Sequence, residues 1–254
     1  LTPGQFRMWM DWNVRGAGAT YNVPLVWRRP ESVDAEVLAA ALRDVVERHD
    51  ILRTVYPSPA GEPTARILPV PDTILVSSQE DVTELVRTAF DLGTDIPIRA
   101  FTTPTHIVIV VHHIAFDEWS RDVLLDDLTV AYSARSEGRR PRWTAAAIQY
   151  ADIGEPVDTD SGVDSWMRVL SGAPESTELP LDRPRRARRT DTRTAGTVQQ
   201  HLSRDATAGL KSVATQTGTT MSMLTSAVVA MTLARSGAGD DICIGLPVST
   251  RARV

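Results

Sequence analysis

The stretch VVHHIAFDEWS, residues 110 to 120, places two adjacent histidines at the end of an apolar run. Ile and Val fill that run, which is typical of a strand buried on both faces. Ser120 is a good helix N-cap, and Leu124, Leu128 and Ala131 follow at helical spacing. We therefore predict a buried strand, a short loop, and a helix that begins at Ser120. A loop between a strand and a helix N-terminus is a common place for a functional site.

The polar residues of this loop are His112, His113 and Asp117. Neighbouring strand residues point to opposite faces, so one histidine can face a cleft while the other packs inward. A metal site needs three or four convergent ligands, and His106 is separated from the pair by apolar residues. We therefore predict no metal here. A histidine with a pKa near ~6.5 can exchange protons at working pH. Asp117 could orient an imidazole or form an ion pair, and two buried histidines without chemistry are the plainer alternative.

The composition of the 254 residues is that of a globular protein, with 42% hydrophobic residues, 23% charged residues and a net charge of -5. This balance gives no general attraction to nucleic acid or anionic membranes. No apolar segment reaches the ~20 residues of a membrane span, and no signal peptide is visible. The single cysteine, Cys243, cannot form an internal disulfide, so we expect a reducing, cytoplasmic compartment. Cys243 lies in DICIGLPV and is predicted to be a small core residue.

Further helices and strands are predicted along the rest of the chain. A strong helix should run from a Ser32 cap towards Thr54, with Leu38, Ala41, Leu42 and Val45 on its apolar face. The other predicted elements are a short strand within 61–70, a helix over 79–89, an extended stretch near 101, a short helix at 166–167, a strand at 197–202, helices over 204–217 and 221–235, and a buried strand within 240–248.

Five sequence motifs resemble, in order, those of condensation domains from nonribosomal peptide synthetases. HHIAFDEWS resembles their HHxxxDG core motif. LTPGQFRMW resembles S-x-A-Q-x-R-L-W, and RHDILRTVY resembles R-H-E-x-L-R-T-x-F. Tyr150 and Asp152 match the weak Y-x-D motif, and IGLPVSTR resembles I-G-x-P-x-A-G-R with Ser249 and Thr250 in place of the usual small pair. One such motif is weak, whereas five in order are specific.

The resemblance implies an α+β, chloramphenicol-acetyltransferase-like fold of two lobes. Residues 1–175 would form a complete N-terminal lobe, and 176–254 the crossover and part of a C-terminal lobe. Members of the family are longer, so we expect a chain truncated after its fifth motif that does not condense substrates alone. The arginine-rich stretch 183–193 is interpreted as a solvated linker, because no aromatic residue interleaves its arginines as a nucleic-acid site would require.

The implied reaction is peptide-bond formation between two substrates carried as thioesters. Each substrate would hang on the phosphopantetheine arm of a donor or acceptor carrier protein, with an adenylation domain nearby and no permanently bound cofactor. By resemblance, His113 projects towards the meeting point of the two arms. Since an α-ammonium with a pKa near ~8 must lose a proton before attack, His113 would act as general base or position the amine.

The resemblance also assigns supporting roles. His112 would support the strand end, and Asp117 would form a buried ion pair with Arg251, or less favourably with Arg53. Glu118 and Trp119 would lie at the acceptor channel, where Trp119 is expected to pack. Glu118 replaces the family's usual Gly. Its carboxylate would narrow the channel, attract the acceptor ammonium, or point to solvent.

Three related functions compete with condensation. An epimerisation domain shares the His-His-Asp motif but usually continues V-S-W rather than W-S. A heterocyclisation domain has aspartates in place of both histidines and is excluded by His112 and His113. A non-catalytic domain of the same fold that recruits a partner enzyme stays open, with Glu118 as its best argument. Neighbouring carrier and adenylation domains would favour condensation.

Overall fold

The computed structural model describes residues 1–16, 18–153, 160–174, 176–177, 179–180 and 198–246. The chain separates into two compact units, Leu1–Glu155 and Pro156–Val254. The predicted lobe boundary after residue 175 stays a prediction. The first unit contains α1 (Pro3–Arg15), β1 (Asn22–Arg28), α2 (Ala35–Arg48), β2 (Thr54–Val55), β3 (Arg66–Ile67), β4 (Leu75–Ser77), α3 (Val82–Arg87), β5 (Ile98–Thr102), β6 (His106–His112) and α4 (Glu118–Ser136).

A four-stranded sheet with the order β1-β6-β5-β4 forms the centre of the first unit. β6 pairs antiparallel with both β1 and β5, whereas β4 runs parallel to β5. β2 and β3 form a separate two-stranded sheet. Pro24 lies in β1, at the edge of the four-stranded sheet, where a residue without an N–H is tolerated.

Strand β6 is buried on both faces, as its run of Ile and Val predicted. Ile109 and Val111 pack in one cluster with α2 and α4. Val108 and Val110 pack on the opposite face with Trp9 of α1 and other residues. Because side chains alternate along a strand, β6 joins the two halves of the core and holds its own end rigidly.

The predicted apolar faces of α2 and α4 are confirmed, but their first residues differ from the prediction. Asp34, not Ser32, caps α2, because its Oδ1 accepts hydrogen bonds from the N–H groups of Glu36 and Val37. α2 ends at Arg48, and a short 3₁₀ turn, Asp50–Arg53, follows. α4 begins at Glu118, two residues earlier than predicted, because Asp117 is its N-cap.

The second unit contains the helices α5 (Asp160–Val169), α6 (Arg204–Thr217) and α7 (Met221–Arg235). The strands predicted at 197–202 and 240–248 are wrong for the described residues, since 198–203 and 241–246 are irregular. A strand needs a ladder partner, and the described part of this unit contains no strand. Cys243 is exposed rather than buried. The arginine-rich stretch lies outside the described residues.

Helices α6 and α7 also bear on membrane spanning. Over the part of the chain that the structure describes, no individual helix is long and apolar enough to cross a bilayer. α6 and α7 satisfy the length and composition requirement only together, as a pair bent by 106°.

Candidate active site

The loop between β6 and α4 holds the candidate residues in a tight turn. The N–H of His113 donates to the carbonyl of Tyr21 at 2.8 Å, which continues the antiparallel bonding past the end of β6. The N–H of Ala115 donates to the carbonyl of His112 at 3.0 Å. These bonds fix the backbone of both histidines. Because side chains alternate along a strand, the two rings point to opposite sides and lie in different environments.

His112 is buried, with only 2% of its surface exposed. Its ring lies 5.8 Å from that of Tyr21 and 5.9 Å from that of Phe90, measured between centroids. The N–H of Ile114 donates to Nδ1 of His112 at 3.1 Å, so this nitrogen carries no proton. Burial, and to a smaller extent the charge of a protonated His113, lower the pKa of His112 to about 4. His112 is therefore a neutral packing residue at working pH.

His113 is exposed, although it is adjacent to a fully buried histidine. Its Nδ1 lies 2.5 Å from the carbonyl oxygen of Phe116. A carbonyl can only accept, so Nδ1 must carry the hydrogen and the neutral ring must have its lone pair on Nε2. This is the tautomer that a proton acceptor needs, with the acceptor atom at the ring edge opposite the backbone contact.

Asp117 ends the loop as the N-cap of α4. Its Oδ1 accepts hydrogen bonds from the N–H of Ser120 at 2.9 Å and from the hydroxyl of Ser120 at 2.7 Å. The hydroxyl of Ser120 accepts in turn from the N–H of Asp117 at 3.3 Å, which completes a capping box. Asp117 therefore fixes the start of α4, and through it the end of the His113 loop.

The two residues predicted at the acceptor channel open α4. Glu118 is the first residue of the helix, and its side chain is 84% exposed, with Arg121 3.9 Å away. A carboxylate in the first helical turn is favourable because it faces the positive end of the helix dipole. Trp119 is 60% exposed, so the packing predicted for it is not found among the described residues.

The two arginines proposed as partners of Asp117 have different outcomes. Arg53 is bound elsewhere: it forms an ion pair with Asp50 in the same 3₁₀ turn and donates to the carbonyl of Leu68 at 2.8 Å. The structure therefore does not assign Arg53 to Asp117. Arg251 lies outside the described residues, so its pair with Asp117 stays a prediction.

A buried glutamine that sequence reasoning gave no role lies against the loop. Gln5, 6% exposed, donates from Nε2 to the hydroxyl of Tyr56 at 3.0 Å and to the carbonyl of Ile114 at 3.3 Å. The hydroxyl oxygen of Thr2, the N-cap of α1, lies 3.2 Å from the hydroxyl oxygen of Tyr150. Burial raises the pKa of Tyr56, and nearby Tyr150 raises it further. Residues of four motifs thus meet in one hydrogen-bonded network.

A neighbouring network involves the motif RHDILRTVY, residues 48–56. Asp127 of α4 accepts from Nε of Arg48 at 2.9 Å and lies 2.6 Å from Nε2 of His49. The guanidinium of Arg48 also lies 4.4 Å from the ring centre of Trp143. Among the described residues, no cluster of three or more His, Cys, Asp or Glu side chains is placed to hold a metal ion. These contacts give the motif RHDILRTVY a structural role at the junction of α2 and α4.

The sequence profile of the Condensation domain family matches residues 1–253. The chain belongs to the condensation domain family. It is 37% identical over 276 residues to a probable non-canonical nonribosomal peptide synthetase, CymA, of Salinispora arenicola. That alignment covers 99% of this chain but only 4% of the synthetase, so this condensation domain sequence corresponds to a small part of such a protein.

Two solved structures resemble this condensation domain chain. The X-domain from teicoplanin biosynthesis matches with a TM-score of 0.78 and 32% identity, over 94% of this chain and 57% of the X-domain. An X-domain is also known in a complex with OxyB, and there the identity is 33%. The first condensation domain of the CDA synthetase matches with a TM-score of 0.69 and 19% identity, over 93% and 62% of the two chains. The predicted mixed α+β, chloramphenicol-acetyltransferase-like fold is confirmed.

Proposed function

We propose that this chain is the part of a catalytic condensation domain that carries the histidine acting on the acceptor amine. The observation that supports this proposal most directly is the contrast between His112 and His113. His113 is exposed with Nδ1 bound to a carbonyl, whereas His112 is buried and neutral. Of the pair, only His113 is exposed, and its Nε2 makes no hydrogen bond among those that the structure describes. Family membership supports an acyl-transfer reaction at this position.

The proposed step forms one bond and breaks another. The acceptor's amine nitrogen attacks the carbonyl carbon of the donor thioester, the new C–N bond forms, and the C–S bond breaks. Nε2 of His113 accepts the proton that the amine loses, and the proton then returns to the departing thiolate. The same lone pair can instead hold the amine by a hydrogen bond, in which case the rate comes mainly from bringing both arms together.

The substrates and partners of this step follow from the proposed reaction. Both acyl groups would be presented as thioesters on phosphopantetheine arms, one on a donor and one on an acceptor carrier protein. An adenylation domain of the same synthetase would supply the activated amino acid. Relatives named as nonribosomal peptide synthetases or synthases support this arrangement. The residues of this chain would contribute positioning and proton transfer, and no resident metal is required.

The test is a single-turnover assay on the complete synthetase that contains this chain. Both carrier proteins are loaded, and mass spectrometry measures the dipeptidyl thioester. His113→Ala should lower the rate by roughly 10²–10⁴ with an unchanged melting temperature. His106→Ala is the matched control, since this histidine lies at the opposite end of β6 and its Nδ1 contacts only the Thr105 hydroxyl among the described bonds. Full activity in His113→Ala would refute the catalytic proposal.

Recruitment of a partner enzyme is the second candidate function. Two observations favour it: the 32% identity and TM-score of 0.78 to an X-domain, and Glu118 at the family's usual glycine. An X-domain forms a complex with OxyB, so this fold can present a surface to another protein. In the same assay, an unaltered protein with two loaded carriers that yields no dipeptidyl thioester would favour recruitment over condensation.

A further inference from the structure

Gln5 spans two separate parts of the first unit from within α1. Its Nε2 donates to the Tyr56 hydroxyl and to the Ile114 carbonyl, and its Oε1 accepts from the N–H of Thr2 at 3.1 Å. The residue is buried. A buried amide with partners on both of its ends is held in one place, because each lost hydrogen bond would leave a polar atom without water.

Only one orientation of the Gln5 amide satisfies these contacts. The Ile114 carbonyl can only accept, so the amide nitrogen must face it. The Thr2 N–H can only donate, so the amide oxygen must face the helix N-terminus. The side chain therefore connects the cap of α1 to the histidine loop in a defined direction.

Ile114 is the residue directly after His113, and side chains hold it on both of its polar atoms. Its N–H donates to Nδ1 of His112, and its carbonyl accepts from Gln5. The turn has two backbone bonds of its own: the bond from the Ala115 N–H to the His112 carbonyl is ordinary, at 3.0 Å, whereas the bond from the Phe116 N–H to the His113 carbonyl is long, at 3.4 Å. Around Phe116 the turn therefore relies on side-chain contacts as well as on its backbone bonds.

We propose that Gln5 is a positioning residue for His113. By holding the Ile114 carbonyl, Gln5 fixes the turn in which the Phe116 carbonyl meets Nδ1 of His113, and so fixes the ring's tautomer and direction. This inference rests on the proposed function for its effect on rate. Its effect on the ring of His113 is independent of any reaction.

Loss of the Gln5 donor should loosen the turn rather than unfold the unit. A substitution of equal length keeps the packing volume near Trp9 and Tyr56 but leaves the Ile114 carbonyl without its partner. The carbonyl then turns towards another donor and moves Phe116 with it. A shift of about 1 Å at a catalytic group lowers rates by up to about 100-fold, so a loss of at least about 10-fold is expected.

The test compares Gln5→Met with the matched control Gln149→Met. Gln149 is a bridging amide too, although half-buried rather than buried: it donates to the Arg48 carbonyl and accepts from the Asp50 N–H, and its bonds lie outside the histidine loop. The first readout is ¹⁵N NMR of the histidine rings in the 254-residue chain. The chain has five histidines, so the ring signal that is missing from the spectrum of His113→Ala is assigned to His113. The second is the single-turnover rate in the complete synthetase, and the third is the melting temperature.

The expected result is specific to Gln5. The unaltered chain and Gln149→Met should show His113 with Nδ1 protonated and Nε2 bare, whereas Gln5→Met should show averaged tautomers and a rate at least about 10-fold lower. Gln5→Asn, which keeps an amide but is one methylene too short, should behave as Gln5→Met does. An unchanged ring signal in folded Gln5→Met would overturn the inference. So would failure of both variants to fold, because Gln5 would then be required for the fold itself. An altered signal in a synthetase that never condenses would retain the positioning role and reject the proposed function.

Discussion

Nδ1 of His112 accepts a 3.1 Å hydrogen bond from the backbone N–H of Ile114. A protonated His112 could not accept this bond, and its charge would be buried among Tyr21 and Phe90. The neutral ring is therefore part of the folded structure, and protonation of His112 opposes folding. This relationship sets the pH dependence of stability and separates His112 from its exposed neighbour.

Stability should fall as the pH drops from 6.5 towards 4. In the unfolded chain His112 takes up its proton near its ordinary pKa of 6.5, whereas in the folded protein its pKa is about 4. The unfolded state therefore binds more protons in this window, and stability decreases with falling pH, by about 3 kcal/mol at about 1.4 kcal/mol per unit. Urea unfolding at pH 7, 5.5 and 4.5 measures it. His112→Asn keeps an acceptor for Ile114 but does not titrate, so an equally steep pH dependence in that variant would contradict the assignment.

The ion pair between buried Asp44 of α2 and half-buried Arg135 of α4 should contribute more to stability than an exposed ion pair does. Asp44 is buried, and both of its oxygens accept from Arg135 at 2.6 Å. Asp44→Ala should lower the free energy of unfolding by about 2 kcal/mol, because it removes two charge-assisted hydrogen bonds from the buried carboxylate. The exposed pair of Glu137 and Arg139 gives the control, and Glu137→Gln should change little. Denaturant unfolding of both variants decides, and equal losses would count against the prediction.

Asp117 should contribute to stability in two separable ways. Asparagine caps helices about as well as aspartate, so Asp117→Asn keeps the cap of α4 and removes only the charge. Asp117→Ala removes both and should cost about 1 kcal/mol more than Asp117→Asn. The predicted pair with Arg251 requires Asp117→Asn and Arg251→Gln to be non-additive in a double-mutant cycle. Additive losses would reject that pair and leave the cap as the role of Asp117.

Glu118→Gly should leave the melting temperature nearly unchanged and preserve or raise product formation. The carboxylate is exposed, and its only ion pair among the described residues is the 3.9 Å contact with Arg121. Glu36→Gly, in the first turn of α2, is the control for the effect of glycine on a helix start. A folded Glu118→Gly protein that no longer forms product would contradict this prediction and show that Glu118 has a positive role in the reaction.

The parts of the fold that the sequence predicted are those with a strong local pattern. The apolar run of β6 and the spacing of Leu38, Ala41, Leu42 and Val45 in α2 place side chains on faces that the structure confirms as buried. Helix α1 was missed, although Thr2, Pro3 and Gln5 form a capping-box pattern at its start. The strands predicted in the second unit failed because a pattern of apolar residues does not supply a pairing partner.

The features of the candidate site were likewise predicted only in part from the sequence. Alternation along β6 predicted that His112 and His113 face different surroundings, and the structure places one inside and the other outside. The predicted start of α4 was two residues too late, because Asp117 and Ser120 are both good N-cap residues and lie only three residues apart. The role of Gln5 could not be read from local spacing, since Tyr56 and Ile114 are 51 and 109 residues away along the chain.

The hydroxyls of Thr2 and Tyr150 lie 3.2 Å apart, although almost the whole first unit separates them in sequence. Two positions that are 148 residues apart in sequence therefore lie side by side in space. A pulling force applied between Thr2 and Tyr150 would act on this contact before it reached the four-stranded sheet. A displacement of Tyr150 would be passed to the histidine loop through Thr2 and Gln5, whose side chain holds the Ile114 carbonyl.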